Sequence, residues 1–177
     1  MKNLFILVCI LAYITSYSID LRPLGFSSTT GFCFERITYM FVHIKLAHLL
    51  INLFSFNALF RILSKTIRAN VLFTAMILAA VAATFGSEGV LPTVGASGVV
   101  FFLFGVYSVL YFSKPLLLFI LADAVLNVVS FYFANTNIYV HAFSYAYGIA
   151  FILLFKAYYR KWPHKSTQRG ITITHNK

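Results

Sequence analysis

"LAHLLINLFSFNALFRIL", Leu46 to Leu63, is an apolar run with one charge, Arg61, near its end, and with His48 and Asn52 one helical turn apart in its first half. At about 1.5 Å per residue a helix of this length spans about 27 Å, close to the ~30 Å hydrocarbon core of a bilayer. The run reads as a transmembrane helix, and its polar pair needs a reason to be there.

Working outward, five more runs approach the same length: approximately Leu4 to Tyr17, Asn70 to Phe85, Ser97 to Phe112, Pro115 to Phe133 and Ile138 to Tyr159. With 60% hydrophobic and only 10% charged residues, a chain of 177 residues cannot clothe a water-soluble globule in polar surface. It is expected to be an integral membrane protein. Strict apolar and polar alternation is absent, so the backbone must satisfy itself in helices rather than in a barrel, and the expected class is an all-α bundle of six transmembrane helices. No linker or repeat divides it, which gives one membrane domain over residues 1–160 and a basic tail over 161–177. Lys2 and the short apolar stretch after it also resemble a signal peptide, but Thr15-Ser16-Tyr17-Ser18 offers no small-residue cleavage site. Cys9 and Cys33 have no metal-ligand spacing and are expected to be free thiols.

The net charge of +10 invites a nucleic-acid reading, but its distribution argues for topology. With the N-terminus in the cytoplasm, eleven of the fourteen lysines and arginines fall on the inner side, leaving only Arg22, Arg36 and Lys45 outside. The expected location is a bacterial cytoplasmic membrane with both termini inside. Anionic lipid headgroups at the tail are a secondary contact, and no nucleic acid, metal or cofactor is expected.

In this topology the second, fourth and sixth runs all travel from outside to inside, so their first turns share the outer leaflet. His48 and Asn52 open the second, Ser97 the fourth and His141 the sixth. Taken singly, each has a plain structural explanation: a glycine-flanked serine lets helices approach, and histidine or asparagine bonds across a bundle. Three distant segments delivering them to one depth point instead to a site. The chemistry such a set permits is nucleophilic acyl transfer. Ser97 needs a base and His141 is the one suitably placed, while His48, Asn52 and the Ser97 N–H, orphaned at a helix start, can donate to an oxyanion. No acidic third member is visible, so the reading is a dyad.

Other chemistries fit less well. Gly95-Ala96-Ser97-Gly98-Val99 lacks the second glycine of the G-x-S-x-G elbow, and His43 with His48 lacks the H-E-x-x-H glutamate. An aspartyl dyad needs two acids at depth, and Asp123 stands alone there, one turn from Asn127. A transporter reading lacks paired intramembrane charges and matching half-helix breaks.

"HIKLAHLLIN" (His43, His48, Asn52), "GASGVVFFLFG" (Gly95, Ser97, Gly98, Gly105) and "HAFSYAYG" (His141, Gly148), in this order, resemble the motifs of the rhomboid intramembrane serine proteases. The resemblance runs from about Glu35 to Phe155. It implies a serine nucleophile at Ser97, a base at His141, an oxyanion hole at His48 and Asn52, and supporting roles for Gly95, Gly98, Gly148, His43 and Arg36. His43 matches a loop histidine with a structural role, and Arg36 matches the arginine of a Trp-Arg motif that braces the site. Glu35 stands in place of that tryptophan, Phe101 in place of a tyrosine packed on the base, and Ser144 in place of a glycine between the fourth and sixth helices. The fifth helix, by resemblance a lateral gate, carries Asp123.

The implied substrate is the transmembrane helix of another membrane protein, entering between the second and fifth helices and unwinding near its outer end. Small residues at the cleaved bond would suit a glycine-lined site. Two relatives of that function stay open on the same fold. One is an inactive form that binds membrane helices; the other is a sorting protease for C-terminal anchors.

Overall fold

In a computed structural model of the protein, the structure describes residues 1–28, 34–87, 92–113 and 137–161. Among them the regular elements are α1 (Lys2–Thr15), a 3-10 turn at Arg22–Leu24, α2 (Glu35–Thr38) running into a 3-10 turn at Tyr39–Phe41, α3 (Leu46–Leu63), α4 (Ala69–Ala83) prolonged by a turn at Thr84–Gly86, α5 (Ser97–Leu110) and α6 (Ile138–Lys161). A single isolated antiparallel bridge, Phe26 with Thr93, is the only extended pairing among the described residues.

Three of these helices are long and apolar enough to cross a membrane: Leu46–Leu63, Ala69–Gly86 and Ile138–Arg160. Lys2–Thr15 and Ser97–Leu110 are apolar but shorter, at 14 residues each. The expected six full spans are therefore seen as three, with two shorter helices beside them. The fifth run, with Asp123 and Asn127, lies outside the described residues, as do Cys33 and positions 162–177.

Burial follows helical periodicity. On α3, Leu49, Asn52, Phe56, Phe60 and Leu63 form the buried stripe, while Ile51 and Phe54 on the far side are 66% and 78% exposed. An apolar face turned away from the core suits hydrocarbon rather than water. α1 lies along α3 through Phe5, whose ring sits 4.9 Å from that of Phe56, and through Lys2, whose Nζ donates to Asn57 Oδ1 at 2.9 Å; Cys9, one turn after Phe5 and also buried, meets the Met40 carbonyl.

α5 is the central helix, buried along Ser97, Gly98, Val99, Phe102, Leu103, Gly105, Val106 and Ser108. It packs most extensively against α6, because Gly105 and Gly148 face each other. A Cβ on Gly105 would overlap the Tyr145 carbonyl, and one on Gly148 the Phe102 carbonyl. Small residues at such a crossing let two backbones touch, which lipid-embedded helices use in place of hydrophobic drive. Lower down, Tyr145 Oη donates to Ser108 Oγ at 3.1 Å across the same interface.

The shortness of α5 has a local cause in the non-helical stretch Thr93–Ala96 ahead of it. Irregular backbone is tolerated within a membrane protein only where protein satisfies it. Thr93 exchanges both bridge bonds with Phe26, Gly95 N–H reaches the Tyr39 carbonyl at 2.8 Å, and Ala96 N–H reaches His43 Nε2 at 3.2 Å. Phe26, Tyr39 and His43 thus hold the approach to α5.

Candidate active site

Ser97 is the first residue of α5 and is buried, only 8% exposed. His141 lies in the first turn of α6, and its Nε2 is 2.8 Å from Ser97 Oγ. With the imidazole proton on Nδ1, the serine hydroxyl donates to Nε2, the arrangement a base needs to take that proton. Phe101, one turn below Ser97 on α5, stacks on His141 with centroids 4.3 Å apart and planes 15° apart. It fixes the ring that the serine hydroxyl addresses.

Ser144, one turn after His141, is fully buried, and its Oγ has no hydrogen-bond partner among the described residues. It packs over Gly98, where an added Cβ would lie 3.3 Å from that oxygen and 2.7 Å from Tyr39 Oη. The missing side chain at Gly98 takes up the extra bulk of Ser144, so the serine does not force Ser97 away from His141.

Gly95 has φ +117°, a backbone conformation that L side chains rarely adopt, and a Cβ there would meet the His48 ring. The glycine serves both needs: it turns the chain into α5 and leaves room for a half-buried imidazole. His48 in turn lies edge-on to His43, with centroids 5.3 Å apart.

His43 ties the remaining pieces together. Its Nε2 accepts from Ala96 N–H and lies 3.3 Å from Asn52 Nδ2, and its Nδ1 is 3.3 Å from the Phe41 carbonyl. These partners are mutually consistent only for a neutral ring that carries its proton on Nδ1. Burial, and then the neighbouring His48, push its pKa down from the ordinary 6.5 to about 4, against a smaller opposing effect of the Phe41 carbonyl. Asn52 is therefore held by His43, with a second amide hydrogen left for another acceptor. The resemblance gave His43 a structural part without showing where it acts. Its partner is the amide beside the serine.

Arg36 sits apart from the dyad. Its Nη1 donates to Thr84 Oγ1 at 2.9 Å, and its guanidinium lies over Phe26 at 4.7 Å and Phe85 at 4.3 Å, so it clamps α2 to the end of α4. Glu35 Oε2 is buried without a hydrogen-bond partner among the described residues, so the arginine rather than Glu35 supplies this anchor. Gly148 likewise serves the α5–α6 crossing rather than the serine. The sequence reading did not single out Tyr39, whose buried hydroxyl donates to the Ala80 carbonyl at 3.0 Å, nor Thr93 and Asn137. Of these, Asn137 left a signal, a capping residue directly ahead of an apolar run.

These helices and this paired serine and histidine suit a serine hydrolase built inside a helical membrane bundle. A model of the Rhomboid domain matches residues 31–158, well over half of the chain. The chain belongs to the rhomboid family and is a membrane protein. Among curated proteins none matches the chain as a relative.

Proposed function

We propose that the protein is an intramembrane serine endopeptidase that cuts transmembrane helices of other membrane proteins near their outer ends. The observation that carries this is the 2.8 Å approach of Ser97 Oγ and His141 Nε2 from two different helices. In the proposed cycle the Ser97 oxygen attacks the carbonyl carbon of a locally unwound peptide bond while His141 takes its proton. The resulting oxyanion is met by His48, the free Asn52 amide hydrogen and the Ser97 N–H. Its collapse breaks the C–N bond, and His141 returns the proton to the departing amine. Water, activated by His141, then attacks the acyl-serine and frees the enzyme. Metal and cofactor have no part in this cycle.

In the same reading both termini lie in the cytoplasm of a bacterium, and the dyad faces the outer leaflet, where water can reach the acyl-enzyme. The test is cleavage in proteoliposomes of a single-span substrate with small and helix-breaking residues near its outer end. The expected result is one cut in the outer third that is lost in Ser97→Ala and His141→Ala and about a hundredfold slower in Asn52→Ala. Co-purification of that substrate without any cut would favour the non-enzymatic, helix-binding relative instead.

A further inference from the structure

Thr93 lies four residues before Ser97, and Asn137 four residues before His141. The two meet: Asn137 Nδ2 donates to Thr93 Oγ1 at 2.8 Å. Asn137 also caps α6, its Oδ1 accepting the Val140 N–H at 3.2 Å, so one side chain both starts the helix that carries His141 and grips the segment that leads to Ser97. Thr93 cannot yield freely, because its backbone exchanges two hydrogen bonds with Phe26 at 2.9 and 2.6 Å. The dyad contact and the Asn137–Thr93 contact are then two rungs between the same pair of chain segments, each 2.8 Å long.

We infer that Asn137 is a positioning residue which, through Thr93, sets the separation of Ser97 and His141. This rests on the dyad reading given above. The reason a second rung matters is the steep distance dependence of proton transfer: an error of about 1 Å at the reacting atoms can cost about a hundredfold in rate. A single side-chain hydrogen bond from a non-helical segment to a helix start is a soft constraint when alone. Anchored by the cap at one end and the bridge to Phe26 at the other, it becomes a stiff one. Neither Asn137 nor Thr93 need touch the substrate for this.

The test uses the full chain in detergent with Thr93→Val, which keeps the branched shape and loses only the hydroxyl, Thr93→Ser, which restores it, Asn137→Ala, and the Thr93→Val/Asn137→Ala pair. Labelling of Ser97 by a fluorophosphonate should slow about tenfold in Thr93→Val and recover in Thr93→Ser, with peptide KM unchanged and kcat reduced. Asn137→Ala combined with Thr93→Val should be less damaging than the product of the two single effects, since both break one bond. Amide exchange gives a readout free of catalysis: Thr93→Val should speed exchange at 138–141, on the other segment, as well as at its own. Labelling in Thr93→Val within twofold of wild type, or exchange at 138–141 left untouched, overturns the inference. If the wild-type chain does not label at all, the dyad reading fails, and the exchange arm still decides whether the tie exists.

Discussion

The ring of Phe101 lies flat against that of His141, 4.3 Å between centroids, while the edge of the same imidazole meets Ser97 Oγ through Nε2. A stacked pair of this kind is worth about 0.5–1.5 kcal/mol beyond simple burial. Phe101→Leu keeps the apolar volume and loses the stack, so kcat should fall by about threefold to tenfold with KM little changed. Phe101→Tyr should stay near wild type. Steady-state cleavage of a membrane-helix substrate checks both, and equal rates for leucine and phenylalanine would remove the ring from the account.

Gly95→Ala should be the most damaging single-atom addition near the site. It places a Cβ against the His48 ring and forces an L side chain to φ +117°. Strain of this sort costs about 1–3 kcal/mol, and here it also displaces His48. Loss of cleavage together with a lowered melting temperature is expected. Retained activity at a wild-type melting temperature would show that the turn into α5 is more pliant than its geometry implies.

Ser144→Ala should stabilise the protein. The buried Ser144 hydroxyl has no partner among the described residues, and a buried unpaired polar group costs about 1–3 kcal/mol in desolvation. Removing it against Gly98 leaves only a small void, so a higher melting temperature with cleavage preserved is the expected outcome. A drop in melting temperature would mean that this oxygen makes a bond of its own.

His43 sets a pH dependence whose sign is fixed. Its pKa in the fold is about 4, below the ordinary 6.5 that it regains on unfolding, so between these values the unfolded chain binds more protons. Its contribution to stability is complete above about pH 6.5 and is lost as the pH falls toward 4. Protonation at Nε2 would also repel the Ala96 N–H that the ring accepts. Melting curves of wild type and His43→Gln from pH 7.5 down to 4.5 should converge at the acid end, because glutamine does not titrate; parallel curves would contradict the assignment.

Arg36→Lys should behave almost like Arg36→Ala. The guanidinium bonds Thr84 and lies over two phenyl rings, and an ammonium cannot reproduce that planar contact. A loss of about 1–3 kcal/mol in unfolding stability is expected for either. Lysine restoring wild-type stability would reduce the role of Arg36 to its charge.

Several of these features are legible in the sequence, and others are not, for physical reasons. The bounds of α3 can be read residue for residue, because Lys45 and the pair Ser64-Lys65 flank an otherwise apolar run. α5 is read two residues too long and α1 displaced by two, starting late at Leu4: hydropathy continues through Tyr17 and Phe112, whereas helical hydrogen bonding stops at Thr15 and Leu110. Ser97 and His141, which the topology expected from the loop charges would bring to one depth, lie 2.8 Å apart at their side chains. What alternation cannot disclose is a tertiary hydrogen bond with no periodicity behind it. His43 to Ala96 spans 53 positions and Asn137 to Thr93 spans 44, so neither contact follows from the helix pattern that carries its residues.

The most direct test of the central claim, an activated serine inside the bundle, is labelling of the purified protein with a fluorophosphonate probe. The account predicts covalent label on Ser97 in the wild-type chain, lost in Ser97→Ala and in His141→Ala while both variants keep the wild-type melting profile. Label that persists in His141→Ala at the wild-type rate, or a folded wild-type chain that takes no label while a known serine hydrolase in the same detergent does, would contradict it.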